Sequence, residues 1–587
     1  MSADFKTLLL KDSRLAGITD ELDYAVMSGA SSNTYQQFNA ISSSSSSMVF
    51  NIQVPSENIV VSREVLISSD IYFKMVITNV PVNDFAFKYG ETDALQAFPL
   101  NSLFTTMSAQ VNNTNVSVNL QDVLPQLIRL NNNRELYRYN GMTPSLPDQA
   151  YRSYADGVDA ANSPLNSYAS AGYDGDLEPR GAFPIVFDSI SRNSGGTVTA
   201  NELQSTATTD VFTIEAHVSV TEPLIGLSPF IFGDCEYNKQ GLVGINAMNF
   251  VMNVDSAMKR FLSTSNDYDY TLSLGNSASA QPFANAKLLL NFLSTQPTDL
   301  VPARNVVPYM DFPRYLSLQS SVGNVAAGAS ATLNSQNIQI NQLPDYFIVC
   351  VRKPMSQQSL KDSSSFMKIN SVSVNLNNTY GLLSSATAQD LWRISVNNHS
   401  QQSWSEFSGE ANVRAAAGTP SGSLTNTINT TGSLLILSPA KDLSLPAYLS
   451  SGSIGQYNFQ LQIGVENTLG AAITPEICVI CVNSGLFTTI AGSSNIYTGI
   501  LTKQMVLDAQ SGEDAIEPVA EVQYRRLVGG KLGNMGATAV KKMRPALGKM
   551  CKVKEAFGMG VASAGGIHSG GGVQSAGAMS ALDKLCA

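Results

Sequence analysis

Tyr457-Asn-Phe459-Gln-Leu461-Gln-Ile463-Gly-Val465 sets five apolar side chains in strict alternation with polar or small ones. Period two marks a strand with one buried and one wet face. Working outward, the same alternation appears in Val372-Ser-Val374-Asn-Leu376, Ile338-Gln-Ile340 and Phe212-Thr-Ile214. Other runs are almost continuously apolar: Tyr346-Phe-Ile-Val-Cys-Val351, Ile477-Cys-Val-Ile-Cys-Val482 and Leu288-Leu-Leu-Asn-Phe292. These read as strands buried on both faces. Gly, Asn, Ser and Pro clusters punctuate them as turns. Helical signals are few. Thr387 is an N-cap candidate with Asp390 at N3, and Thr502 to Asp508 is a second short candidate.

Many strands with few helices predict an all-β chain of sandwiches. A single core stops growing near about 250–300 residues, so a chain of 587 residues calls for two. The expected boundary lies near Val301-Pro-Ala-Arg-Asn305. Ala286 to Leu293 reads as a closing strand and Phe312 to Leu318 as an opening one. The expected division is an N-terminal arm over 1–45, a first sandwich over 46–303, a second over 304–510 and a tail over 511–587. The arm ends in six consecutive serines, Ser42 to Ser47, and reads as flexible. The 131–184 segment, rich in Tyr, Asn, Gly and Pro, reads as a long functional loop of the first sandwich. Its six tyrosines, Tyr137, Tyr139, Tyr151, Tyr154, Tyr168 and Tyr173, supply packing area and argue against disorder.

Charged residues make up 14% of the chain, against about 25% in an average soluble protein. A surface poor in charge is cheaper to desolvate against another subunit. The net charge of −10 is unevenly spread. From Arg525 onward ten basic residues face two acidic ones, a tail of +8 on a body of −18. The N-terminus is too charged for a signal peptide, and no run of 18 apolar residues predicts a membrane span.

Four stretches in fixed order carry a resemblance: Ala94-Leu-Gln-Ala-Phe-Pro-Leu100, Glu178-Pro179-Arg180-Gly181, Gly381-Leu-Leu-Ser-Ser-Ala-Thr387 and Trp404-Ser-Glu-Phe407. Over residues 45–510 the chain resembles the major capsid proteins of virophages and polinton-like viruses. The resemblance implies two consecutive jelly rolls, a homotrimeric pseudo-hexagonal capsomer, and an icosahedral shell around double-stranded DNA. It implies neighbouring capsomers and penton or minor capsid proteins as partners, and the virion, assembled in the infected host cell, as location. The 131–184 loop becomes a contact or tower loop.

The tail holds the sharpest candidate site. Leu527-Val528-Gly529-Gly530-Lys531 is similar to the cleavage pattern of adenovirus-type cysteine proteases. Paired glycines in an extended segment allow close backbone approach to a protease cleft. A viral cysteine protease is the implied partner, and removal of the tail at maturation the implied event. Lys541, Lys542, Arg544, Lys549, Lys552 and Lys554 would suit contact with genomic DNA through counterion release. The bland reading of both features is a Gly-rich solubilising tail.

No catalytic, cofactor or metal constellation stands out. Cys478-x-x-Cys481 lies in a strand run, where positions three apart face opposite ways, so buried thiols are expected. Asn266-Asp267-Tyr268-Asp269-Tyr270 lacks the Gly and closing Glu of a calcium loop. His217, His399 and His568 are widely separated, and no phosphate-binding Gly loop is present. Two other classes remain open beside a capsid protein. One is a receptor- or glycan-binding surface protein, for which only Trp392 and Trp404 could stack on sugars. The other is a glycan-processing sandwich enzyme, which needs a carboxylate pair.

Overall fold

A computed structural model describes residues 8–9, 25–26 and 31–498, apart from 90–92, 131–153, 156–179, 182–184, 194, 196–202, 231–240, 265, 280, 296–303, 378, 415–424, 444–450, 470 and 491. All of them lie within one compact unit, Met1–Leu507; Asp508–Ala587 is a second unit and lies outside the described residues.

The first half contains β1 (Ser31–Asn39), β2 (Ser47–Gln53), β3 (Leu66–Thr78), α1 (Pro99–Leu103), β4 (Phe104–Val111), β5 (Thr114–Val118) and α2 (Leu120–Ile128). It continues with β6 (Val186–Arg192), β7 (Phe212–Pro223), β8 (Ala247–Val254), β9 (Asp269–Leu274) and β10 (Phe283–Thr295). One antiparallel sheet has the order β6-β7-β3-β10-β1, with β9 also pairing β3. The other runs β5-β4-β8-β2. Strand β3 buries every second residue, including Ile67, Ile71, Phe73, Met75 and Ile77. Phe50, Met107 and Phe250 of the second sheet join it in one apolar cluster.

The second half contains β11 (Arg304–Asp311), β12 (Arg314–Leu318), β13 (Ser330–Asn334), β14 (Ile338–Gln342), β15 (Tyr346–Arg352), β16 (Lys368–Leu376), β17 (Thr379–Leu382), α3 (Ala388–Asn397) and α4 (Trp404–Phe407). It closes with β18 (Leu435–Leu437), β19 (Ile454–Glu466), β20 (Glu476–Ile490) and β21 (Ser493–Thr498). Its inner sheet runs β11-β20-β15-β18, with β12 and β21 also on β20; its outer sheet runs β13-β19-β16-β17, with β14 also on β19. The alternating run that opens the sequence reading is β19. Tyr457, Phe459, Leu461, Ile463 and Val465 are buried, while Asn458, Gln460 and Gln462 are exposed. Phe459 stacks on Phe347 of the inner sheet at 4.0 Å between ring centroids. Each half is thus two facing antiparallel sheets, and the chain is a double jelly roll.

The short helices are capped as their sequences dictate. Thr387 accepts from the Asp390 amide while Asp390 accepts from the Thr387 amide, a reciprocal box. Ser403 and Glu406 repeat it at α4. Helix α2 escapes the sequence reading because Pro125 sits inside it.

The N-terminal arm needs correction. Residues 31–39 are not free of the sandwich; β1 pairs with β10 along its length, from Ser31↔Thr295 to Asn39↔Lys287. Ser42–Ser43 pair with β2, and the serine run makes the connecting turn. The Ser44 hydroxyl accepts from the Ser46 and Ser47 amides. Serine composition suggests flexibility, but here the hydroxyls satisfy turn backbone that would otherwise be unpaired. The segment around Pro308 is likewise a strand, β11. A proline is tolerated there because β11 pairs on one side only, with β20.

Candidate functional site: the junction between the two sandwiches

Strand β20 is buried along nearly its whole length, and its alternate residues serve different cores. Ile477, Val479 and Cys481 face the outer sheet of their own sandwich, with Phe347, Val349 and Val351 of β15. Cys478, Ile480 and Val482, with Ile348 and Cys350, join the apolar cluster of the first half. The two halves therefore share one continuous hydrophobic cluster, and the inner sheet of the second sandwich is its wall.

A chain of charged and polar groups threads this wall. From the first half, α2 supplies Asp122, Gln126 and Arg129. Its N-terminus is fixed by Asn119, whose side chain accepts from the Asp122 amide. From the second half, β15 supplies Arg352, β20 Glu476 and β12 Arg314. Arg352 is 1% exposed and donates to Asp122 Oδ1 at 2.5 Å and to Glu476 Oε2 at 3.2 Å. Arg314 donates to the other Asp122 oxygen. Burial alone would raise the Asp122 carboxyl, but the charge and hydrogen bond of Arg352, then Arg314 and Arg260, outweigh it and hold it below the ordinary carboxylate range.

Hydrogen bonds to neutral acceptors extend the seam. Gln126 reaches Cys350 Sγ at 3.4 Å, Arg129 donates to the Ser364 carbonyl at 3.0 Å and lies over the Phe366 ring, and Gln96 donates to Ser363 Oγ at 2.8 Å. Lys259 donates to the Met355 and Ser356 carbonyls, both at 2.8 Å. At the other end Arg63 donates to the Pro229 carbonyl at 2.7 Å and to Pro308 at 3.4 Å, while Asn305 donates to Gly241 at 2.7 Å. Ser494 of β21 donates its amide to Asn113 Oδ1 at 2.8 Å, in the turn before β5, and its carbonyl accepts from the Thr114 hydroxyl of β5. Such a seam of directional bonds fixes how two apolar surfaces may meet.

The sequence reading missed these residues. The available signal was charge inside apolar pattern: Arg352 ends the run Tyr346 to Val351, and Asp122 and Arg129 flank the apolar stretch of α2. The candidates it singled out behave differently. Cys478 and Cys481 do face opposite sides, and burial pushes the Cys481 thiol up, so they form no metal or redox pair with each other. Cys478 instead sits directly across from Cys350 on β15, both as free thiols. Asp267 pairs with Lys361 and Asp269 accepts from Asn79, so the two carboxylates have separate partners. Among the described residues no group of three or more His, Cys, Asp or Glu is placed to hold a metal, and no helix is long and apolar enough to cross a membrane. Leu527, Gly529, Gly530 and Lys531, and the basic set Lys541, Lys542, Arg544, Lys549, Lys552 and Lys554, lie outside the described residues, as does nearly all of the 131–184 loop.

Comparison with known proteins follows the same two-part division. Residues 3–293 match the family model of the Sputnik virophage major capsid protein first domain, and residues 312–485 match that of the major capsid protein V20 C-terminal domain. The chain is 26% identical over 545 residues to the Sputnik virophage protein named "Putative capsid protein V20", covering 89% of this chain and 86% of that one. A chain of the Sputnik virophage cryo-EM structure superposes with a TM-score of 0.67 at 24% identity, covering 86% of this chain and 96% of that chain. The crystal structure of the mavirus major capsid protein gives 0.58 at 14% identity, covering 88% and 100%.

Proposed function

We propose that this chain, which belongs to the virophage major capsid proteins of the double jelly-roll lineage, trimerises into a pseudo-hexagonal capsomer and tiles an icosahedral shell around double-stranded DNA. As a member of that family it is a structural protein of the virion rather than an enzyme. The observation that carries the trimer is the junction. It joins two like-built sandwiches of one chain into a single block, so three copies supply six sandwiches around one axis.

The exposed surface fits burial against further copies. Strand β12 pairs with β20 on one side and leaves Leu316 and Leu318 exposed, Leu318 by 52%. Tyr35 on β1 and Tyr380 on β17 are 78% and 71% exposed. Aromatic and apolar side chains on uncovered edge strands are favourable contacts for a neighbouring subunit. Neighbouring capsomers and penton or minor capsid proteins are the partners in this reading.

The tail acts during assembly. Before maturation its basic residues, Lys541 to Lys554, contact the genome from inside the shell. A viral cysteine protease then cuts after Gly530, within Leu527-Val528-Gly529-Gly530-Lys531. Intact-mass spectrometry of purified particles tests both parts. The expected result is this chain as the dominant component, ending at Gly530. A dominant chain running to Ala587 would overturn the cleavage, and particles without this chain would overturn the shell role.

A further inference from the structure

The two halves repeat one plan. Strands β1, β3, β7 and β10 of the first half pair in the order β7-β3-β10-β1, and β11, β15, β18 and β20 of the second pair as β18-β15-β20-β11. In each half a hairpin, β4-β5 or β16-β17, leads into a capped helix, α2 or α3. Asp122 and Asp390 hold the same third position of those helices, and each donates its amide to the capping side chain.

One contact of this plan is made inside the chain. Helix α2 of the first half rests on the sheet of the second, with Asp122 on Arg352 and Gln126 on Cys350, both of β15. Seven of the nine α2 residues are buried. The two matching surfaces are open. Of the ten α3 residues only Leu391 and Ser395 are buried, while Asp390, Arg393 and Val396 are exposed. The equivalent sheet of the first half turns Ser68 and Asp70 of β3 and Lys287 of β10 away from its own core.

A cleft of about 270 Å³ lies on that face, over the β3–β10 pairing that corresponds to β15–β20. A bulge between Ala284 and Lys287, with Asn285 at a φ of 52°, breaks the ladder there. Two charges line the cleft. Lys287 donates to Gln37 Oε1 at 3.2 Å, and Asp70 accepts from Ser219 Oγ at 2.5 Å and Asn285 Nδ2 at 2.6 Å. The other charged groups of the face have partners within it, Lys74 with Glu215 at 4.0 Å and His217 with Asp188 at 2.8 Å. Asp390 and Arg393 are three residues apart and share one side of α3. Helix and cleft thus each offer one charge of either sign.

We propose that α3 of one copy seats in the β3–β10 cleft of a second copy, with Asp390 on Lys287 and Arg393 on Asp70. The contact repeats between chains the seating that α2 makes within one. It joins unlike surfaces, so it runs head to tail and closes into a ring where the rotation allows. It deepens the capsomer reading and rests on it.

The test measures self-association of the full-length chain by sedimentation velocity over a concentration series, with thermal melts as the folding control. Lys287→Glu, and separately Arg393→Glu, which leaves the α3 cap intact, should each raise the concentration for half-assembly about tenfold or more, with a wild-type melt. Lys287→Glu combined with Asp390→Lys restores opposite charges and should bring assembly back to within about threefold of wild type. Single variants that assemble as wild type does, or a double variant no better than Lys287→Glu alone, would overturn this contact and leave the capsomer reading standing. A wild-type chain that stays monomeric throughout would overturn both.

Discussion

The inner sheet of the second sandwich shows two faces built from the same strands, and their chemistry differs. Toward its own outer sheet, β15 and β20 present Phe347, Val349, Val351, Ile477, Val479 and Cys481 to an apolar core. Toward the first half, the alternate residues are also apolar, but the contact is crossed by Arg352, Asp122, Glu476 and Arg314. Apolar packing is strong and non-directional. It holds a sandwich together, where strand register already sets geometry. Between the two sandwiches no strand pairs with a strand among the described residues, and buried hydrogen-bonded charges set the angle instead. For a shell subunit this matters, because an error in the angle between the halves is repeated in every copy.

The largest expected effect comes from breaking the charged face. Asp122→Ala leaves Arg352 with Glu476 alone, and the loss should be about 3–5 kcal/mol in denaturant unfolding. Replacing both partners, Asp122→Leu with Arg352→Leu, should cost much less than the two single changes summed. Additive losses in that cycle would show that the pair does not act as a unit.

A smaller effect concerns the support of the junction helix. Glu222, at the end of β7, is buried and accepts from the Leu100 amide, the Asn101 amide and Asn101 Nδ2 in α1, which packs against α2. Burial pushes its carboxyl up from 4.5 to about 7, against the pull of those three bonds. The folded state therefore binds this proton more tightly than the unfolded chain. Its contribution is fully present below about pH 4.5 and is lost as pH rises through about 7, by up to about 3 kcal/mol. Glu222→Gln should flatten that part of the stability profile between pH 5 and 8, read by thermal melts across pH (about one titrating group's worth). An unchanged slope in the variant would remove Glu222 from the account. The apolar face holds no such group and should show no matching dependence.

Much of the fold was legible because period two is a local signal. The alternation from Tyr457 to Val465 is one strand in both sequence and structure, and the double-sided burial of Ile477 to Val482 follows from its unbroken apolarity. The capping box of Thr387 and Asp390 spans four residues and is equally readable. The serine run misled because composition does not show that β10 offers an open edge to β1. The junction was not legible, since Asp122 and Arg352 lie 230 residues apart and only the fold brings them together. Each looks like a solvated charge until the apolar residues around it are assigned to a face.

In the proposed capsomer each chain contributes two sandwiches locked through this junction, and three such chains surround one axis. Electron cryomicroscopy of particles formed by the full-length chain tests it most directly. The account predicts threefold capsomers showing six sandwich densities, with Arg352 on Asp122 between the two sandwiches of each chain. Chains that remain dispersed as monomers, or particles in which the two sandwiches of a chain belong to different capsomers, would contradict it.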